Sequence, residues 1–129
     1  MIAVDTSALM AIALQERQAA GCLSALAEDK DVLISAGTMA EALIVASRRG
    51  IRAQLAELFE AYDLIVISVT EASARRMAEA YSRWGRGVHP AGLNLGDCFA
   101  YEVAKQHSCR LLFVGSDFAK TDIEAVLKD

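Results

Sequence analysis

A chain of 129 residues, 54% apolar and with a net charge of −4, fits one domain and can bury roughly two thirds of its unfolded surface without a staple. Its longest uncharged stretches, residues 6–15 and 87–96 among them, are ten residues each, well short of the ~20 that a membrane-spanning helix requires. Three widely spaced cysteines (Cys22, Cys98, Cys109) argue against a disulfide framework or a thiolate zinc site and suit a reducing cytoplasm.

The chain opens on Met1-Ile2-Ala3-Val4-Asp5, with no basic region before an apolar run, so the start reads as a first strand and not as a secretion signal. Short apolar runs at residues 2–4, 32–35, 64–68 and 111–114 predict strands covered on both faces. Helical spacing of apolar residues predicts helices over 6–14, 16–28, 38–49, 52–62, 71–83 and 94–107, with Gly50 as a stop. Strands alternating with helices predict an α/β fold with a parallel sheet. The stretch 85–94, with three glycines and Pro90, the single proline, is the one extended loop signal. No repeat or linker interrupts the chain, and one domain over residues 1–129 is expected.

Four acids occupy comparable places. Asp5 follows the first strand, and Asp117 follows the last across Gly115-Ser116. Glu41 is expected in the first turn of the helix after the second strand, and Asp97 begins the helix that feeds the last strand. Ligands of open parallel sheets bind at the carboxyl ends of the strands, so these four can converge. Clustered carboxylates repel unless a cation compensates, and oxygen ligands without imidazole or thiolate favour Mg²⁺ or Mn²⁺. Such a site suits phosphodiester hydrolysis by activated water. Each acid also has a plain structural reading. Asp5 is placed as a helix N-cap, Thr38 to Glu41 has the form of a capping box, Asp97 suits a helix dipole, and Asp117 suits a turn.

The acidic balance is unusual for a nucleic-acid binder, but one Mg²⁺ would take −4 to −2 and a second would bring it to zero. Two other doubly wound classes fail on residues. A haloacid-dehalogenase-like phosphatase needs a second Asp where Ser7 stands. A receiver domain needs an Asp after the central strand, where Val69-Thr70 stands, and a Lys after the last, where Ser116-Asp117 stands.

At these residues the chain resembles the PIN-domain nucleases, and specifically VapC-type toxins of toxin–antitoxin pairs. The stretches are Met1 to Leu9, Ile34 to Glu41, His89 to Tyr101 and Leu112 to Ile123, of which His89-Pro-Ala-Gly-Leu-Asn-Leu-Gly-Asp97-Cys-Phe-Ala-Tyr101 is the most specific. Many relatives carry Asp or Asn where Ser116 stands. The resemblance implies a PIN-like three-layer α/β/α sandwich and Mg²⁺-dependent cleavage of RNA, with Mn²⁺ able to substitute. It further implies inhibition by a cognate antitoxin, and a homodimer. By carry-over Asp5 and Asp97 bind the metal directly, and Glu41 and Asp117 complete the pocket. Thr6, Ser7, Asn94 and Ser116 are expected to orient ligands or water. Asp122 is read as a cap or turn residue.

Arg83, Arg86 and Lys120 are candidate RNA contacts by charge. His89 and His107 are read as structural, and Tyr81 and Trp84 as packing at a helix end in preference to stacking on bases. The apolar helices between residues 38 and 62 are the expected dimer face. The alternative reading is a non-catalytic PIN-fold module that binds RNA or a protein partner.

Overall fold

Along each inner strand, successive residues pack in opposite cores, and this alternation sets the architecture. The computed structural model describes residues 1–128 and runs β1 (Ile2–Val4), α1 (Thr6–Ala13), α2 (Ala19–Glu28), β2 (Val32–Ser35), α3 (Ala36–Arg49), α4 (Arg52–Ala61), β3 (Ile65–Ile67), α5 (Glu71–Trp84), α6 (Leu95–Gln106) and β4 (Arg110–Leu112). A short 3₁₀ turn, Phe118–Lys120, follows. Ile2, Val4, Val32, Ile34 and Leu112 pack in one core with Leu9, Leu26, Ala42, Leu55 and Leu58 of α1 to α4. Ala3, Leu33 and Leu111 pack in the other with Met77, Trp84, Ala100 and Val103 of α5 and α6. The result is the expected three-layer α/β/α sandwich.

The four strands are parallel, in the order β3-β2-β1-β4. From β1 the chain steps to β2 and β3 on one side, then returns to β4 on the other. The topological switch therefore lies between β1 and β4, where a crevice opens at the strands' carboxyl ends. Two hydrogen bonds tie the strands together there. The Asp5 amide donates to the Leu112 carbonyl at 3.0 Å, and the Val114 amide donates to the Ser7 hydroxyl, also at 3.0 Å.

Four sequence expectations need correction. β3 is an edge strand, with Ile65 42% and Val66 48% exposed; an apolar run does not encode whether a strand is central. α2 begins at Ala19 and not at residue 16, because Gln15 takes a left-handed φ of 55° and turns the chain. β4 ends at Leu112, since the Val114 amide goes to Ser7 instead of a ladder. The glycine-rich stretch 85–94 is a closed turn and not an open loop. The Leu93 amide donates to the Trp84 carbonyl and the Arg86 amide to the Leu93 carbonyl, each at 3.0 Å. Gly50 does end α3, in the left-handed region at φ 70°. Among the described residues no helix is long and apolar enough to cross a membrane.

Candidate metal centre

Asp5 leaves β1 in extended conformation and caps α1, its Oδ2 accepting from the Ser7 amide at 3.1 Å. Its second oxygen, Oδ1, is buried with no partner. A buried carboxylate oxygen without a donor is costly to ionise. Burial is the main cause that pushes the Asp5 carboxyl up to about 7; the hydrogen bonds from Ser7 oppose it, and the negative charges of Asp97 and Glu41 add to it.

Glu41 is not a capping residue. Ser35 caps α3, its Oγ accepting from the Gly37 amide at 3.1 Å, so Glu41 lies in the second turn and not in the first. Thr38 is fully buried with its hydroxyl unpartnered, which removes the capping box read from residues 38–41. The freed Glu41 carboxylate accepts the Thr6 hydroxyl at 2.7 Å and rests against Gly96, where any Cβ would overlap both of its oxygens.

Asp97 stands in the first turn of α6 within a reciprocal capping box. Its amide donates to Asn94 Oδ1 at 2.9 Å, and its own Oδ2 accepts the Asn94 amide at 3.0 Å. Burial pushes the Asp97 carboxyl up, the Asn94 amide opposes this, Asp117 and Glu41 add repulsion, and Arg86 offsets part of it. Asp117 is exposed at the start of the 3₁₀ turn, without a side-chain capping bond.

The structure thus brings Asp5, Glu41 and Asp97 within electrostatic reach, and the negative charge of Asp117 also reaches Asp97. Among the described residues no three His, Cys, Asp or Glu side chains form a preformed metal cage. The unpartnered Asp5 oxygen and the mutual repulsion fit a divalent cation held by hard oxygen donors.

Of the supporting residues, Thr6 holds Glu41, Ser7 links Asp5 to the end of β4, and Asn94 holds Asp97. Ser116 is exposed beside Asp117. Arg86 lies near Asp97, at the rim of an apolar groove of about 780 Å³ between α5 and α6 that Met77, Tyr81, Leu95 and Phe99 help to line. Arg83 is engaged elsewhere, stacked at 4.5 Å over the Trp84 ring and 3.6 Å from Asp122. Lys120 is exposed. His89 meets Trp84 edge-on at 4.7 Å and accepts the Ala91 amide at 3.0 Å, and His107 ends α6. Trp84 is buried and donates to the Tyr101 hydroxyl at 2.9 Å, whereas Tyr81 is 41% exposed. Gly96 was open to detection in the sequence, since a glycine inside a helix's first turn weakens the helix unless something approaches closely. Asp122 is more than a turn residue: Tyr101, Lys105 and Arg83 all converge on it.

The sequence profile of the PIN domain matches residues 2–124. The chain belongs to the PIN-domain family. This PIN domain is 41% identical to the ribonuclease VapC28 of Mycobacterium tuberculosis, over 96% of each chain. It is 38% identical to a ribonuclease VapC of Mycolicibacterium smegmatis, over 95% of this chain and 98% of that one. The fold matches the crystal structure of M. tuberculosis VapC20, a sarcin–ricin-loop-cleaving toxin, with a TM-score of 0.79 at 17% identity over 98% of both chains. It also matches a toxin–antitoxin complex from Klebsiella pneumoniae, with a TM-score of 0.72 at 20% identity over 95% of this chain and 93% of that one.

Proposed function

We propose that this PIN domain is a metal-dependent endoribonuclease and the toxin of a toxin–antitoxin pair. The observation that carries the reading is the buried Asp5 carboxylate, one oxygen unpartnered and its proton affinity raised towards neutrality beside Glu41 and Asp97. Folding has concentrated negative charge that a cation would relieve. Full-length similarity to ribonucleases named VapC supports RNA as the substrate. The Klebsiella toxin–antitoxin complex supports an antitoxin as partner.

In this reading Asp5 and Asp97 ligate the ion, and Glu41 and Asp117 complete the pocket directly or through water. When bound, Mg²⁺ or Mn²⁺ supplies the Lewis acid that activates water and offsets charge in an in-line phosphodiester displacement. The chain's own residues do the positioning. Ser7 fixes the Asp5 carboxylate, Thr6 and Gly96 fix Glu41, and the Asn94 capping box fixes Asp97. Ser116 is available to orient water beside Asp117. Arg86, already near Asp97, contacts RNA phosphate, with Lys120 further out. The protein acts as a homodimer, for which Leu43 and Ile44 of α3, 49% and 56% exposed, offer apolar surface.

The test is cleavage of a mixed cellular RNA pool by purified protein in Mg²⁺ and in EDTA, beside Asp97→Asn. Cleavage that requires both the metal and Asp97 is the expected result. An identical RNA pattern from wild type and variant would overturn the catalytic reading in favour of an acidic partner-binding cluster.

A further inference from the structure

Asp97, Tyr101 and Lys105 recur at intervals of four along α6 and so share one face of the helix. The segment that carries Asp117 is tied to α6 at Asp122, which bonds to Tyr101 and Lys105, and at Phe118, which shares a core with Tyr101. Asp97 and Asp117 repel one another at one end. At the other, the Tyr101 hydroxyl donates to Asp122 Oδ1 at 2.7 Å and Lys105 Nζ donates to Oδ2 at 3.1 Å. Arg83 approaches the same Oδ2 at 3.6 Å.

The tyrosine is itself fixed. Its ring is buried in the core, and its oxygen accepts the Trp84 indole N–H at 2.9 Å. The phenol therefore stands between one donor and one acceptor and can point its proton only at Asp122. Burial, together with the hydrogen bond to Asp122, pushes the phenol up to about 12, so it remains a donor at any working pH. Burial alone would push the Asp122 carboxyl up; the bonds from Tyr101 and Lys105 outweigh it and leave the carboxyl below its ordinary value. The exposed pairing with Lys105 contributes little by itself, so the buried phenol supplies the direction.

Between these ends the segment has little freedom. Phe118 is buried against Phe113, with ring centres 5.2 Å apart. The Thr121 hydroxyl donates to the Phe118 carbonyl at 2.6 Å and accepts the Ile123 amide at 3.2 Å. Beyond Asp122 the Leu111 amide donates to the Glu124 carbonyl at 2.9 Å, which returns the chain to β4. Asp117, with no side-chain bond of its own to cap the turn, takes its place from this anchored stretch.

The geometry points to Asp122 as a positioning residue that, clasped by Tyr101 and Lys105, holds the segment of Asp117 against α6 and so sets the affinity of the centre for its divalent ion. The inference rests on the metal-centre reading above.

The test measures Mn²⁺ binding directly, by calorimetry on the full chain, with thermal unfolding in EDTA alongside. Wild type, Asp122→Ala, Tyr101→Phe, Asp117→Asn, the Asp117→Asn/Asp122→Ala double variant and Asp97→Asn are compared. Asp122→Ala is expected to weaken Mn²⁺ binding by about tenfold, the lower end of what ligand-orienting groups contribute. Tyr101→Phe, which keeps the ring in the core, should weaken it in the same direction, and unfolding in EDTA reads separately the cost of leaving the Trp84 N–H unpaired. In the Asp117→Asn background Asp122→Ala should weaken binding no further, because the two act through one group. A lowered melting temperature with unchanged Mn²⁺ affinity would reduce Asp122 to a structural role and overturn the inference. So would fully independent effects in the double variant, or an Asp117→Asn variant that binds as wild type does. Failure of the underlying reading looks different: wild type would bind no Mn²⁺, or Asp97→Asn would bind it undiminished.

Discussion

The Thr6 hydroxyl donates to Glu41 Oε1 at 2.7 Å, joining the first turn of α1 to the second turn of α3 across 35 positions of sequence. Thr6 is 8% exposed, so the bond to a charged acceptor contributes about 2 kcal/mol. Thr6→Val keeps the shape and removes the donor. Its unfolding free energy should fall by about that amount, and Mg²⁺-dependent cleavage should fall by about tenfold or more as Glu41 loses its orientation. Thr6→Ser should restore most of both, as read by denaturant unfolding and initial rates. Full activity in Thr6→Val would show that Glu41 is held by other means.

Gly96 makes a separate prediction about the same carboxylate. A methyl group there would occupy the space of both Glu41 oxygens, and Gly96 lies within α6, where alanine is otherwise favoured by roughly 1 kcal/mol. Gly96→Ala should therefore remain folded, with far-ultraviolet circular dichroism like that of wild type, while losing most cleavage. Retained cleavage would mean that Glu41 can move aside without consequence.

Asp5 links stability to pH. Its carboxyl lies at about 7 in the folded protein against an ordinary 3.8, so the folded state binds the proton more tightly than the unfolded chain. Below about pH 4 both states are protonated and the site costs nothing. As pH rises towards 7 the unfolded chain ionises first and stability falls. Above 7 the full cost stands, on the order of 4 kcal/mol. In EDTA, Asp5→Asn should melt several degrees above wild type at pH 8, a gap that closes towards pH 4. Saturating Mg²⁺ should raise the wild-type melting temperature and leave that of the variant unchanged. A gap that is constant across pH would remove burial of the charge as its cause.

Arg86 and Arg83 are three residues apart yet differ in availability. Arg86 sits near Asp97 at the groove rim, whereas Arg83 is committed to Trp84 and Asp122. Arg86→Ala should weaken RNA binding and flatten its salt dependence by about one counterion, measured by filter binding to Asp97→Asn protein between low and moderate salt. Arg83→Ala should leave that slope unchanged. Equal slopes for wild type and Arg86→Ala would exclude Arg86 as a phosphate contact.

The amino-acid sequence by itself determined the layer architecture, the bounds of β1 and β2, the stop at Gly50 and the N-cap role of Asp5. These depend on neighbours a few residues apart: the two-residue alternation of a strand, the turn spacing of a helix, the left-handed freedom of glycine. It also marked all four acids, because strand ends and helix starts are local features. Only the tertiary structure decided what each acid side chain meets. Glu41 was free to accept the Thr6 hydroxyl because Ser35, not Thr38, caps α3, a choice fixed by where β2 ends within the sheet. β3 became an edge because the chain returns across β1 to form β4. Asp122 reads locally as a turn residue, yet its partners Tyr101, Lys105 and Arg83 lie 17 to 39 positions away. Local spacing fixes conformation, but a carboxylate's charge state and partners follow from burial and from which distant groups the packed layers bring to it.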